Sequence, residues 1–169
     1  CWGDNTYGQI GDGTTTDRLS PVTVDLGADM TAVTVSASRS DSCAVLSDGS
    51  VKCWGNNAWT TVQWVVPVAI DLEDSSGAIA EISSGDNHSC AVLNNGSVKC
   101  LGNNWNGEVG DGTTTDRSSP VTVDLGTNIT AVTVSAGSNH SCAVLNNGLV
   151  KCWGDNTYGQ IGDGTTTDR

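Results

Sequence analysis

The stretch CWGDNTYGQIGDGTTTDR at residues 1–18 returns unchanged at residues 152–169. A close copy, CLGNNWNGEVGDGTTTDR, fills residues 100–117, and Cys53-Trp54-Gly55-Asn56 opens a fourth. The opening cysteines Cys1, Cys53, Cys100 and Cys152 fall 52, 47 and 52 residues apart. Self-similarity at a period near 50 residues is the mark of an array of supersecondary units, each unable to bury its core alone. Each unit continues with a Pro-Val segment at Pro21, Pro67 or Pro120. An AVTVSA-like run follows at Ala32, Ala78 or Ala131, and SCAVLxxGxVKC closes on the next unit's cysteine. The chain divides into repeats 1–52, 53–99 and 100–151 and a partial repeat 152–169. Between Cys53 and Pro67 the middle repeat lacks the GQIGDGTTTDR-like stretch and carries NNAWTTVQWVV (56–66) instead, so that its cysteine-to-proline span is six residues shorter. Loop-closure cost grows only with the logarithm of length, so this reads as a shortened surface loop on an intact unit.

Each repeat holds four strand candidates. AVTVSA alternates and is rich in β-branched residues, as an inner strand is, and the Pro-Val segment suits an outer strand, where no ladder donor is needed. SCAVL and the following VKC segment are joined by Ser47-Asp48-Gly49, Asn94-Asn95-Gly96 or Asn146-Asn147-Gly148. These are three-residue hairpin loops with glycine at the left-handed position. Hairpin register then places Cys43 across from Cys53, Cys90 across from Cys100 and Cys142 across from Cys152. Directly opposed β-carbons lie within reach of a disulfide. Buried free thiols are the alternative; zinc is disfavoured because no CxxC pair occurs and the chain has two histidines. Cys1 is left over, its expected partner lying ten residues upstream. Disulfides point to an oxidising compartment, hence a secreted or cell-surface protein.

Gly is 21 of 169 residues and no window has sustained helical periodicity, so the class is all-β with many tight turns. The net charge of −12 argues against nucleic-acid partners, which need clustered Lys and Arg, and against anionic membrane surfaces. No stretch approaches the roughly 20 apolar residues of a membrane-spanning helix.

Trp2–Thr14, repeated at Trp153–Thr165, together with AGSNHSCAVLNNGLVKCWG (Ala136 to Gly154), resembles the signature of regulator-of-chromosome-condensation repeats. The resemblance covers the whole chain. It implies β-propeller blades of four antiparallel strands, in which AVTVSA, SCAVL and KCW join the Pro-Val strand of the following repeat. About three blades are present, so an incomplete ring or an open array is expected. Two arrangements stay open: a window of a longer array, or copies that complete one another's blades. The cysteine pairs look like those of secreted bacterial members. The resemblance implies no cofactor and no reaction, but a platform for protein partners.

His88 and His140 stand at equivalent places where the first repeat has Asp41, and a residue repeated per blade reads as a structural hydrogen-bonder. No Ser-His-Asp or Cys-His arrangement emerges from the sequence. The aspartates of GDGTTTD (Asp12, Asp17, Asp111, Asp116, Asp163, Asp168) lack the alternation and closing Glu of a calcium loop, and read as turn residues. Trp2, Trp54 and Trp153, with Leu101 once in their place, read as packing residues. Tyr7, Trp59, Trp64, Trp105 and Tyr158 fall in the loops after WGxN, with Trp59 aligned to Tyr7 and Trp105 to Thr6. Loop aromatics bury much area with few torsions to freeze, so these five are the expected binding residues, with packing over blade edges as the competing role. The expected function is a non-enzymatic propeller module that binds a protein or glycan through these loops. The alternative is a structural repeat protein that self-associates into a filament through unpaired blade edges.

Overall fold

A computed structural model describes residues 1–56, 63–70 and 78–169. The described residues contain eleven strands and no helix. Strands β1 (Ala32–Ala37), β2 (Asp41–Leu46), β3 (Val51–Gly55) and β4 (Trp64–Ile70) form one antiparallel sheet in that order. Strands β5 (Ile79–Ser84), β6 (His88–Leu93), β7 (Val98–Gly102) and β8 (Arg117–Thr122) form the second. Strands β9 (Ala131–Ala136), β10 (His140–Leu145) and β11 (Val150–Gly154) form the third. Each four-stranded sheet takes its last strand from the next repeat, so the blades straddle the repeat boundaries. Two further pairings extend this plan. Gly3 and Arg18 exchange backbone hydrogen bonds, as do Cys1 and Val22; Gly154 and Arg169 do the same beside the third sheet.

Blade stacking explains the burial pattern. Side chains alternate between the faces of a strand, so a strand between two blades is buried on both. All six residues of β2 and of β6 are buried. Cys43 and Val45 meet Ile79, Ile82 and Ala91 of the second blade, while Ala44 and Leu46 pack with Trp54 against Cys1, Val24 and Leu26. In β10 only alternate residues are buried, and Val144 is 37% exposed.

The hairpins have the register the loops require. Cys43 faces Cys53, Cys90 faces Cys100 and Cys142 faces Cys152. All three pairs are disulfides, with Cα atoms 4.0–4.1 Å apart. Gly49, Gly96 and Gly148 close the loops at φ of 82°, 78° and 81°. Cys1 is free and half-buried.

Trp64 does not lie in a loop. It opens β4 opposite Gly55, the place that Arg18 and Arg117 hold opposite Gly3 and Gly102, and it is half-buried. The shortening in the middle repeat therefore falls wholly between β3 and β4, and the blade is intact.

Candidate interaction face

Asn56 after β3, the segment joining β7 to β8 and the segment after β11 share one end of the molecule with the β1–β2, β5–β6 and β9–β10 turns. Backbone hydrogen bonds of 2.8 Å from Asn56, Asn103 and Asp155 N–H to the Ser40, Asn87 and Asn139 carbonyls tie the two sets together. Each long loop is built on a buried asparagine. Asn5 is fully buried. Its backbone N–H donates to Asp17, and its side-chain amide donates to the Thr14 and Thr16 carbonyls at 3.1 Å. Its Oδ1 accepts from the Ile10 N–H at 2.9 Å. Asn104 and Asn156 repeat this arrangement. The GDGTTTD aspartates close the same loops. Asp12 accepts from Thr14 and pairs with Arg18; the Thr14 hydroxyl, helped by Arg18, holds its carboxyl down at about 2.

The loop also wedges against the following blade. The Gln9 carbonyl accepts from both the Trp54 indole N–H and the Ser42 hydroxyl at 2.9 Å. The Glu108 carbonyl accepts from Trp153 at 2.8 Å and Ser141 at 3.1 Å. Gly11 and Gly110 lie so close to these indoles that a β-carbon would stand 2.7 Å from the ring. Trp54 and Trp153 are accordingly buried, but Trp2 is 67% exposed, because residues 1–169 place no wedge loop over it.

Leu101, fully buried, replaces the tryptophan in the blade whose preceding loop is six residues shorter. Leucine brings no indole donor to that seam, so no buried N–H there needs a carbonyl. Trp54→Phe should therefore cost about 1 kcal/mol, the usual worth of one hydrogen bond. Leu101→Trp should cost about 1–3 kcal/mol from overpacking a fully buried site. Urea denaturation of the two variants checks this; a stabilising Leu101→Trp would show that the seam does offer a carbonyl.

One Ser–His contact exists that the sequence did not reveal. His88 Nε2 lies 2.8 Å from Ser141 Oγ, bridging the second and third blades. The Ser141 hydroxyl donates to the Glu108 carbonyl, so His88 donates from Nε2 to the serine oxygen. Nδ1 is then the bare nitrogen, buried without a partner among the described residues. A histidine that donates to the serine cannot take its proton, and both residues are buried. The pair is a clamp between blades. The His88 ring lies over Gly85, and the His140 ring over Gly137. The first repeat has Ser38 at the glycine position, and there Asp41 replaces histidine and accepts from the Ser38 hydroxyl.

Of the expected aromatic residues, Tyr7 is 44% exposed, Trp105 75% and Tyr158 90%, all in wedge loops. Trp59 lies outside the described residues. Trp105 departs from the loop's own plan. In the first loop Asp4 accepts from the Thr6 N–H and hydroxyl, and Gln9 accepts from the Tyr7 N–H. Asp155, Thr157, Tyr158 and Gln160 do the same in the last. In the middle loop Asn103 and Trp105 replace the Asp–Thr clamp. Glu108 restores closure by accepting from both the backbone and side-chain N–H groups of Asn106 at 2.9 Å. The loop thus keeps its shape without any bond from Trp105 to the described residues.

Two cavities complete the picture. A groove of about 1020 Å³ runs along the outer edge of β11, past Val150, Cys152, Trp153 and Ile161. It occupies the position that β4 and β8 fill in the other two sheets. A cleft of about 180 Å³ between the first two blades is lined by Tyr7, Arg39, Ser40, Asn56, Asp86 and Asn87.

Comparison with known proteins agrees with this architecture. Two profiles of the regulator of chromosome condensation (RCC1) repeat match, one over residues 79–108 and 131–160, the other over 1–45 and 95–144. Human E3 ubiquitin-protein ligase HERC2 is 30% identical over 174 residues, spanning 98% of this chain and 4% of that protein. The ultraviolet-B receptor UVR8 of Arabidopsis thaliana is 31% identical, over 99% of this chain and 39% of the receptor. Human WBSCR16 superimposes with a TM-score of 0.88 at 22% identity, over 99% of this chain and 46% of its own. Saccharomyces cerevisiae Prp20p, solved in a study that also treats its binding to Gsp1p and histones, gives 0.76 at 22%, over 99% and 44%. The chain spans less than half the length of each of these relatives.

Proposed function

Because the chain belongs to the regulator of chromosome condensation repeat family, we propose that it acts as a protein-binding propeller segment, with its wedge-loop face as the binding surface and no chemistry of its own. The observation that carries this reading is Trp105. Its loop folds like its two neighbours, yet the threonine clamp has been exchanged for an indole with three quarters of its surface in water. An exposed aromatic with no bond to the described residues is a usual anchor of an interface. Tyr7 and Tyr158 extend the surface on either side. Relatives support the class of partner: Prp20p binds proteins, and yeast RCC1 was solved bound to Kap60. The disulfides support an extracytoplasmic setting, where such bonds persist. Crosslinking with a photoreactive group at residue 106 should capture a protein partner. Trp105→Ala should weaken that complex at least tenfold, a common loss for a hot-spot aromatic, while Leu149→Ala on the opposite end leaves it unchanged. Equal capture by all three proteins would refute the reading. Self-association through blade edges, which carry unpaired backbone groups in any open sheet, is a second reading. A sedimentation coefficient independent of concentration would count against it.

A further inference from the structure

We infer that the cleft between the first and second blades is a binding site for a neutral sugar. It rests on lining chemistry that no role in the fold consumes. Arg39 is exposed on the β1–β2 turn, and Asp86 is half-buried on the β5–β6 turn. Neither side chain has an ion-pair or hydrogen-bond partner among the described residues, although the two turns share the cleft. The side-chain amides of Asn56 and Asn87 are exposed and equally unengaged. Ser40 donates its hydroxyl proton to the Asn56 carbonyl and keeps its oxygen free to accept. Tyr7 contributes a partly exposed ring to the same wall.

Donors and acceptors are therefore interleaved, and the formal charges of Arg39 and Asp86 cancel. A sugar hydroxyl both donates and accepts, so vicinal hydroxyls match such a mixture. A carboxylate or phosphate would meet Asp86 and a protein of net charge −12. The C–H face of a pyranose can lie on the Tyr7 ring, as apolar surface does on aromatic faces. The volume, about 180 Å³, equals some six waters at roughly 30 Å³ each, the bulk of one sugar ring and below that of drug-sized ligands. A peptide would instead need an open strand edge or an apolar anchor pocket, and the described lining residues offer neither. The combination occurs once. Asp86 and then Ser138 follow Arg39 at the equivalent turns, so no other seam sets a guanidinium opposite a carboxylate.

The test is a ¹H–¹⁵N titration of the whole chain with methyl glucoside, methyl mannoside, methyl galactoside and N-acetylglucosamine. At least one is expected to shift the resonances of Tyr7, Asn56 and Asn87 in the millimolar range. Arg39→Ala and Asp86→Ala, both surface changes, should each weaken binding by roughly tenfold or more, since each removes a charge-assisted hydrogen bond. Trp105→Ala and Tyr158→Ala should not alter it, since the cleft shares only Tyr7 with the proposed protein-binding face. The inference is overturned if none of the four sugars shifts the cleft at tens of millimolar. It is also overturned if binding survives both cleft variants, or if an acidic peptide shifts the same residues and the sugars do not.

Discussion

Reduction of the three disulfides is expected to bring the protein to the edge of unfolding. Each bond closes a loop with a sequence separation of ten. In the chain-entropy account, a loop of this size constrains the unfolded state by just under 3 kcal/mol. The three loops lie in different blades, so their effects add, to about 8 kcal/mol, against a total of about 5–15 kcal/mol for an ordinary domain. The sulfurs are also fully buried at two of the blade seams, where Cys43 and Cys90 contact the Ser84 and Ser141 hydroxyls. Guanidinium denaturation followed by tryptophan fluorescence, with and without reductant, measures this. Coincident curves would mean that the bonds contribute nothing. Replacing one pair, Cys90→Ala with Cys100→Ala, should remove about a third of the effect.

Asp41 and His88 should give opposite pH dependences that cancel in the intact protein. They occupy the same position in successive blades, and the fold accommodates the neutral form of each. Burial pushes Asp41 up to about 6, against the lowering effect of its Ser38 hydrogen bond. Burial, helped by His140, pushes His88 down to about 4, against the pull of Asp86. For Asp41 the folded value lies above the unfolded 3.8, so its stability is whole below 3.8 and drains away as pH rises to 6. For His88 the folded value lies below 6.5, so its stability is whole above 6.5 and drains away as pH falls to 4. Each is worth on the order of 3 kcal/mol at its limit, at 1.36 kcal/mol per unit. Asp41→Asn should therefore be more stable than the parent near pH 7, and the margin should vanish toward pH 4. His88→Gln should show the reverse, its curve rising relative to the parent below pH 6. Urea midpoints at pH 4, 5, 6 and 7 test both. Parallel profiles for parent and variants would show that neither group titrates across its buried range.

The parts legible in the sequence are those governed by local geometry. The spacing of ten between cysteines, around a three-residue loop with glycine last, is enough to set the hairpin register. The period gives the blade count, and β-branched runs give the strands. Contacts that cross from one blade to the next leave no periodic trace. The wedge reads as a turn-rich loop, and nothing local says that the carbonyl of Gln9 will meet Trp54. The Ser141–His88 clamp joins residues 53 apart, which no spacing rule connects. Trp2 shares its motif with Trp54, yet its exposure depends on a neighbour and not on its own sequence. Trp64 was within reach: counting three residues back from Pro67, as from Pro21 to Arg18 or Pro120 to Arg117, places it at a strand start. Trp105 was visible as a loop aromatic, but the Glu108–Asn106 exchange that frees it appears only beside the two unaltered loops.

The wedge sets how such a chain can be recombined. A loop such as residues 4–17 belongs to one repeat by sequence, but the indole it seats, Trp54, belongs to the next. Cutting and splicing at the repeat boundaries would therefore shuffle loops away from their sockets. A graft of a long loop carries a hidden requirement for tryptophan in the following unit. The exchangeable cassette in this architecture runs from one loop to the socket of its successor, and it is out of phase with the repeat that the eye finds first.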